Sequence, residues 1–405
     1  MLRFVAAGCS TIEGPSAGTA PGAVDDTRDG AVDGTVEGAA EGAGERFAGC
    51  SQGSSSRHRT VGAGTGRPAA DPAGLLGRLR GDGHRRPEVD PGLAGGLREW
   101  LEDELAGAIA ALPAHLPPLR ITKADLVQVT MCEASAAARR APAPTLTVEL
   151  VRGVLVDMVF RQWVTTGQLG DPVRDALAGI QASGDPDGVA SFVAALSATE
   201  RRQLGAEVKA HAAVVAATWP PLSPAWLPRT QERLLVPLGG GRVVLSGVAD
   251  LVLGAPAAER ATVGIVEVKS GERRVEHRAD LHFVALLETV RSGAPPFRVA
   301  TYYTQTGELD VESVTEELLI GALQRVLAAA RRLCRLAAGD APSRTPNPLC
   351  RWCPALSGCL PGRRHVREQR AAHGGPGDGE GAGSGQDPHM THGAGLRRGA
   401  GGELR

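Results

Sequence analysis

The hydrophobic period of this chain changes once, at Pro220 and Pro221. Before that point apolar residues recur every three to four positions, as on a helix with one buried face. The stretch "GLAGGLREWLEDELAGAIAAL" carries Leu97, Leu101, Leu105 and Ile109 at successive i+4 positions. "RITKADLVQVTMCEASAAARRA" predicts a second helix starting near Thr122, with Asp125 in its first turn. "TLTVELVRGVLVDMVFRQWV" predicts a third, with Leu150, Val154 and Met158 on one stripe and Pro144 just upstream. Residues 185–217 predict one or two more.

After the prolines the runs shorten and turn β-rich. "ERLLVPL" and "RVVLSGVADLVLG" flank Gly239 to Gly241 as a hairpin, and "ATVGIVEVK" is a third strand. A helix over "EHRADLHFVALLETVRSG", a strand over "FRVATYYT" and a long helix over "ESVTEELLIGALQRVLAAARRLCRLAAG", ending at Gly339, complete the series. This order predicts an α/β unit wrapped in helices.

The ends of the chain cannot share that core. Of 405 residues, 54 are Gly and 28 are Pro, and residues 1–72 and 371–405 carry no sustained apolar period. Both are expected to be extensions that do not order themselves. The folded body is then 73–370, with helices at about 170–225 inserted before the first strand. The net charge of −1 neither implies nor excludes a polyanionic partner. The Arg-rich stretch from Arg325 to Arg370, which includes Arg351, Arg363 and Arg364, predicts a local basic surface, or else a solvated helix face.

No run of eighteen apolar residues suggests a transmembrane helix. The opening "MLRFVAAGCS" has too short an apolar stretch for a secretion signal, so a cytoplasmic protein is expected. In a reducing compartment seven cysteines are not expected to form a disulfide framework, and the clustered ones are better read as metal or cluster ligands, with Cys9 and Cys50 of the N-terminal extension discounted. No "GxxxxGKS/T" loop is present, so a helicase motor would have to be a separate partner. Tyr302, Tyr303 and Trp352 are the candidates for stacking on bases.

Two groups of residues carry chemistry. In "GIVEVK" strand alternation puts Ile265, Glu267 and Lys269 on one side, and Asp250 is a lone acid inside the apolar strand "SGVADLVLG". An unpaired buried carboxylate is costly, and a divalent cation held by Asp250 and Glu267 removes that cost. The backbone carbonyl of Val268 is a natural third ligand, and Lys269 can orient a water and offset charge on a phosphate. An acid-x-Lys pair at a strand end is also common in α/β proteins at large.

"GVADLVLG" followed by "GIVEVKSG" resembles the core of the PD-(D/E)XK nuclease superfamily, over about residues 120–365. The resemblance implies a restriction-endonuclease-like mixed sheet flanked by helices. It further implies hydrolysis of DNA phosphodiesters with Mg²⁺ or Mn²⁺, Asp250 and Glu267 binding the metal and Lys269 assisting.

The second group is "NPLCRWCPALSGCLPGRRH", with Cys350, Cys353 and Cys359 spaced C-x2-C-x5-C. Three thiolates are an incomplete tetrahedral set. Cys132 is the first candidate for the fourth ligand, with Cys334 and His365 as rivals. Spacing alone leaves zinc and an iron–sulfur cluster level. One early and three late cysteines resemble the iron–sulfur RecB-type group of the superfamily, which includes the AddB nuclease domain and CRISPR-adaptation exonucleases. That resemblance implies a 4Fe-4S cluster on Cys132, Cys350, Cys353 and Cys359, tying the two ends of the domain together.

The chain departs from that group at two places. The usual Gly-x-x-x-His reads Gly153 followed by Asp157, which can ligate a hard cation or be a solvated helix residue. The usual Gln-x-x-x-Tyr reads Asp280 and Val284, with His277, Arg278 and His282 nearby as alternative phosphate contacts. The expected function is an exonuclease of DNA repair, recombination or defence, with DNA held by Arg351, Arg363 and Arg364. The rivals are an inactive DNA-binding iron–sulfur scaffold and a zinc-stabilised protein of unrelated activity.

Overall fold

The structure is a computed structural model, and it describes residues 72–81, 86–140 and 146–373. The two terminal extensions, with Cys9 and Cys50, lie outside the described residues except at Pro72 and 371–373, as does Pro144.

In chain order the elements are α1 (Pro72–Arg80), α2 (Leu93–Ala110), β1 (Leu119–Thr122), α3 (Lys123–Met131), α4 (Glu133–Arg140), α5 (Val148–Thr166), α6 (Pro172–Ala182), α7 (Val189–Ala195) and α8 (Ala198–Thr218). There follow β2 (Arg229–Leu238), β3 (Val243–Leu253), β4 (Gly264–Lys269), α9 (Glu276–Ser292), β5 (Arg298–Tyr303), β6 (Glu308–Ser313), α10 (Glu316–Ala338) and α11 (Leu360–His373).

The fold is mixed α/β, a six-stranded mixed sheet flanked by helices. β2 and β3 form the hairpin, closed by three glycines that all adopt positive φ. A side chain at Gly239 would also run into Ile109 of α2, 2.7 Å from the Cβ position. Along its other edge β3 pairs with two strands in succession. β1 runs parallel to Val243–Ser246 and β4 antiparallel to Leu251–Leu253, leaving Gly247 to Asp250 unpaired between them. β4 then pairs in parallel with β5, across α9, and β5 antiparallel with β6.

Alternation along the strands splits the core in two. Ile265, Leu245 and Leu234 pack with α2, α9 and α10, where Leu97, Leu101, Leu105 and Ile109 are buried as their spacing requires. Val266, Leu251 and Tyr302 pack on the opposite side with Phe160 of α5 and Trp219 after α8. A third apolar cluster joins α5 to α6, α7 and α8, so the inserted helices have a core of their own.

Several elements differ from expectation. Thr122 does cap a helix, its hydroxyl and amide exchanging hydrogen bonds with Asp125, but a four-residue strand precedes it. The helix then breaks at Cys132, whose backbone is extended (φ −168°, ψ 116°), so one expected helix is two. On α5 the buried stripe is Val151, Leu155, Val159 and Phe160, and Leu150, Val154 and Met158 are only half-buried. That helix is apolar on most sides, so its period does not fix its phase. Glu312 and Ser313 belong to β6, and α10 starts later, at its Thr315 cap.

Candidate active site

The unpaired interval on β3 is where the acids meet. Continuing the β3–β4 register by one step places Asp250 opposite Glu267, at the point where the two strands part. The Asp250 carboxylate accepts the free amide hydrogen of Val268 at 2.8 Å in place of a ladder bond. On the other edge, Gln231 falls opposite Asp250 but drops out of the β2–β3 ladder, with φ at +55°. Its side-chain amide donates to Asp157 Oδ1 at 3.2 Å and Asp250 Oδ1 at 3.3 Å, bridging α5 to the sheet. A non-glycine residue in the left-handed region is strained, and such strain collects at functional sites.

Glu267 is 2% exposed. Lys269 donates to its Oε1 at 2.9 Å, and Lys123, the first residue of α3, donates to the same oxygen. Its Oε2 is buried with no hydrogen-bond partner. Asp280 of α9 stands 3.7 Å from Lys269. Asp157 is ion-paired to Arg161 at 2.8 Å. A cleft of about 220 Å³ opens beside these groups, lined by Gly153, Asp157, Val268, Lys269, Arg274 and His277 among others.

The electrostatics follow from burial and crowding. Burial first, then the charges of Glu267 and Asp157, pushes Asp250 up to about 8. Burial would raise Glu267 as well, but Lys123 and Lys269 outweigh it and bring the carboxyl down to about 2. Asp157 and Asp280 are raised, chiefly by burial.

Stability therefore depends on pH in two opposite ways. Folded Asp250 keeps a proton that the unfolded chain has lost, so stability falls as pH rises from the ordinary carboxylate range through about 8. The contribution of Glu267 is present above the ordinary range and is lost only as pH falls through about 2. In cation-free protein the urea midpoint is expected to fall between pH 5 and pH 8, and Asp250→Asn to flatten that slope. A wild-type midpoint that rises over the window would contradict the burial of Asp250.

The structure thus brings Asp250, Glu267 and Lys269 together and places Asp157 beside them. It adds Lys123, Gln231 and Asp280, for which the sequence carried no motif. The other expected phosphate contacts are engaged elsewhere. Arg278 and His282 both bind Glu312, and His277, 3.3 Å from the Tyr303 hydroxyl, is pushed down to about 4 by burial and by Lys269 and Arg274. It is neutral at pH 7. Val284 is core. Tyr302 is fully buried and Tyr303 nearly so, which removes both as stacking platforms, whereas Trp352 is 57% exposed with the Arg351 guanidinium 3.6 Å above its ring.

Cys132, Cys350, Cys353 and Cys359 line one cavity, and neither Cys334 nor His365 is among its lining residues. Cys334 is instead a buried core thiol pushed up to about 11 by burial. The cavity is built by backbone as well as thiols. Ala134 N–H donates to Ser343 at 3.0 Å, the Asn347 amide donates to Met131 at 3.4 Å, and Arg139 donates to the Trp352 carbonyl at 3.0 Å. A side chain at Gly362 would stand 3.2 Å from the Cys359 sulfur. Among the described residues no three His, Cys, Asp or Glu side chains converge on the position of a single metal ion.

No protein-family model matches the chain, and no curated protein matches it. Among solved structures it is similar to a protein named "Putative exonuclease" from Eubacterium rectale. That pair is 11% identical with a TM-score of 0.37, covering 59% of this chain and 87% of that one. It is also similar to the protein SSO0001, at 14% identity and a TM-score of 0.28, covering 65% of this chain and 94% of that one. At this level of likeness the function is to be argued from the site.

Proposed function

We propose that the protein is a metal-dependent deoxyribonuclease of the PD-(D/E)XK type, acting from DNA ends. The observation that carries this is the pair Asp250, half-buried, and Glu267, buried, which face each other where β3 and β4 part. Glu267 is held by Lys269, and one of its oxygens has no partner. An orphaned buried carboxylate oxygen, a carboxyl pushed up by burial and then by neighbouring acids, and an open cleft nearby are the donor chemistry of a hard divalent cation. Asp250, Glu267 and the Val268 carbonyl would hold Mg²⁺ or Mn²⁺; Asp157, the further candidate, does not converge with both acids on one ion position in this structure. Bound there, the cation supplies electrophilic activation of the scissile phosphate.

The chain's own residues do the rest. Lys269, at the cleft wall, orients the attacking water and offsets charge on the phosphate oxygens. As the water oxygen bonds to phosphorus, the opposite P–O bond breaks; the attacking water gives up its proton to solvent and the leaving oxygen takes one from solvent. Arg351, Arg363 and Arg364 are exposed and supply backbone contacts for DNA, with Trp352 beside them for a base. Arg331 and Arg335 of the same basic stretch are instead taken up by Glu104 and Glu133.

The four thiols line one cavity, and we read them, with a single zinc ion as the alternative, as the ligands of a 4Fe-4S cluster on the resemblance to the iron–sulfur group. Its role would be structural, joining the α3–α4 junction to the loop before α11.

A second reading, a DNA-binding scaffold without catalysis, is favoured by one feature: Lys123, Lys269 and Arg161 already neutralise the acids from within. Linear and covalently closed circular DNA separate the readings. The nuclease is expected to shorten linear DNA with Mg²⁺ or Mn²⁺, to stop in chelator and to spare the circle. Retention of intact DNA under all conditions supports the scaffold, and equal cutting of the circle contradicts action from ends.

A further inference from the structure

The acid site holds a second lysine, outside the acid-x-Lys stretch and 144 residues from Glu267 in the chain. Its position follows from the strand layout. β1 and β4 lie end to end on one edge of β3, and Thr122, the last residue of β1, pairs with Ser246 at the start of the unpaired interval. The next residue, Lys123, therefore emerges at the gap where Asp250 and Glu267 face each other. Its backbone is pinned on both sides. The Thr122–Asp125 capping box fixes the start of α3, and Arg140 holds Asp125 from the far side at 3.2 Å.

A lysine at the first turn of a helix usually extends into water, because burying an ammonium is costly and a cation is unfavourable at the helix N-terminus. The Lys123 side chain is instead 13% exposed and donates to Glu267 Oε1, beside the bond from Lys269 to the same atom. Two ammonium groups on one carboxylate oxygen leave Oε2 as the only free acceptor of that side chain. This arrangement fixes which oxygen is engaged and which is presented.

We infer that Lys123 is a positioning residue of this site, holding the Glu267 carboxylate by Oε1 so that Oε2 alone is offered to a ligand. The inference rests on the nuclease reading. It predicts a split that a merely structural lysine does not produce. Removing the ammonium lowers the local positive charge by one, so a divalent cation binds more tightly. Oε1 then keeps only the bond from Lys269, the carboxylate is free to turn, and the geometry needed for cleavage is lost.

The test uses full-length protein purified without air and two readouts: Mn²⁺ affinity without DNA, from the electron paramagnetic resonance of free Mn²⁺, and cleavage of linear DNA. Lys123→Met is expected to bind Mn²⁺ about tenfold more tightly and to cleave at least about tenfold more slowly. Lys123→Arg, which keeps the charge, is expected to stay within about threefold of wild-type affinity. Unchanged Mn²⁺ affinity in Lys123→Met overturns the inference, whatever the cleavage rate. If thermal melting shows that Lys123→Met does not fold, Lys123→Gln takes its place under the same criterion. Wild-type protein that binds no Mn²⁺ overturns the nuclease reading itself, and the inference with it.

Discussion

Glu267→Gln is expected to lower DNA cleavage by roughly a thousandfold or more, in a protein that still folds and keeps its visible spectrum. The substitution preserves shape and leaves an oxygen for Lys123 and Lys269 to donate to, but it removes the charge that holds a cation. Breaking a buried ion pair commonly costs about 3–5 kcal/mol, because it strands the partner charge. Here the cost is expected to be smaller. Asp250 is kept protonated partly by the charge of Glu267, and it can ionise once that charge is gone. Asp280 stands 3.7 Å from Lys269 as a second acceptor. The lysines therefore keep acidic partners. Retained cleavage would remove Glu267 from the chemistry, and a variant that fails to fold would show that these acids are chiefly structural.

Cys353→Ser is expected to bleach the protein and to destabilise it by several kcal/mol, since the free energy of a bound group held by four thiolates becomes folding free energy. The loss should be local at first. Cys132 lies between α3 and α4, and the segment carrying Cys350, Cys353 and Cys359 packs across it, so losing the cluster loosens that junction. The backbone bond from Ala134 to Ser343 and the bond from the Asn347 side-chain amide to the Met131 carbonyl hold the same junction without any thiolate, so the sheet is expected to stay folded. Absorbance in the visible range and a urea melt of the variant beside wild type measure both effects. An equally coloured and equally stable variant would take Cys353 out of the ligand set, and a colourless wild type carrying zinc would replace the cluster altogether.

The parts of this molecule that could be read from sequence are those in which neighbours in the chain are neighbours in space. Leu97, Leu101, Leu105 and Ile109 share a helix face, the three glycines close a hairpin, and Glu267 and Lys269 share a strand face. Asp250 stood out because a lone acid in an apolar strand needs a reason to be there.

Lys123 and Gln231 carried no such signal. Lys123 looks like an ordinary first-turn residue of a helix until β1 is seen to end against β3, and a four-residue strand has too few alternations to announce itself. Gln231 lies one residue before the run read as strand, and its departure from the ladder appears only in the register. Tyr302 and Tyr303 show the opposite error. Tyrosines in a β-run suit either a stacking surface or a core, and the choice was made by Phe160 and Trp219, which pack on Tyr302 from elements far away in sequence. β6 escaped notice because its first four residues, "ELDV", carried too few alternations to stand out, and Glu312 and Ser313 read as the start of the next helix.

The most direct test is cleavage of end-labelled linear DNA, single- and double-stranded, by protein purified without air, with Mg²⁺ or Mn²⁺, beside Lys269→Ala. Wild type is expected to shorten the labelled strand in a metal-dependent way and the variant to lose this, with the same fold and colour in both. Cleavage that persists in Lys269→Ala, or brown and folded wild-type protein that leaves every substrate intact, would contradict it.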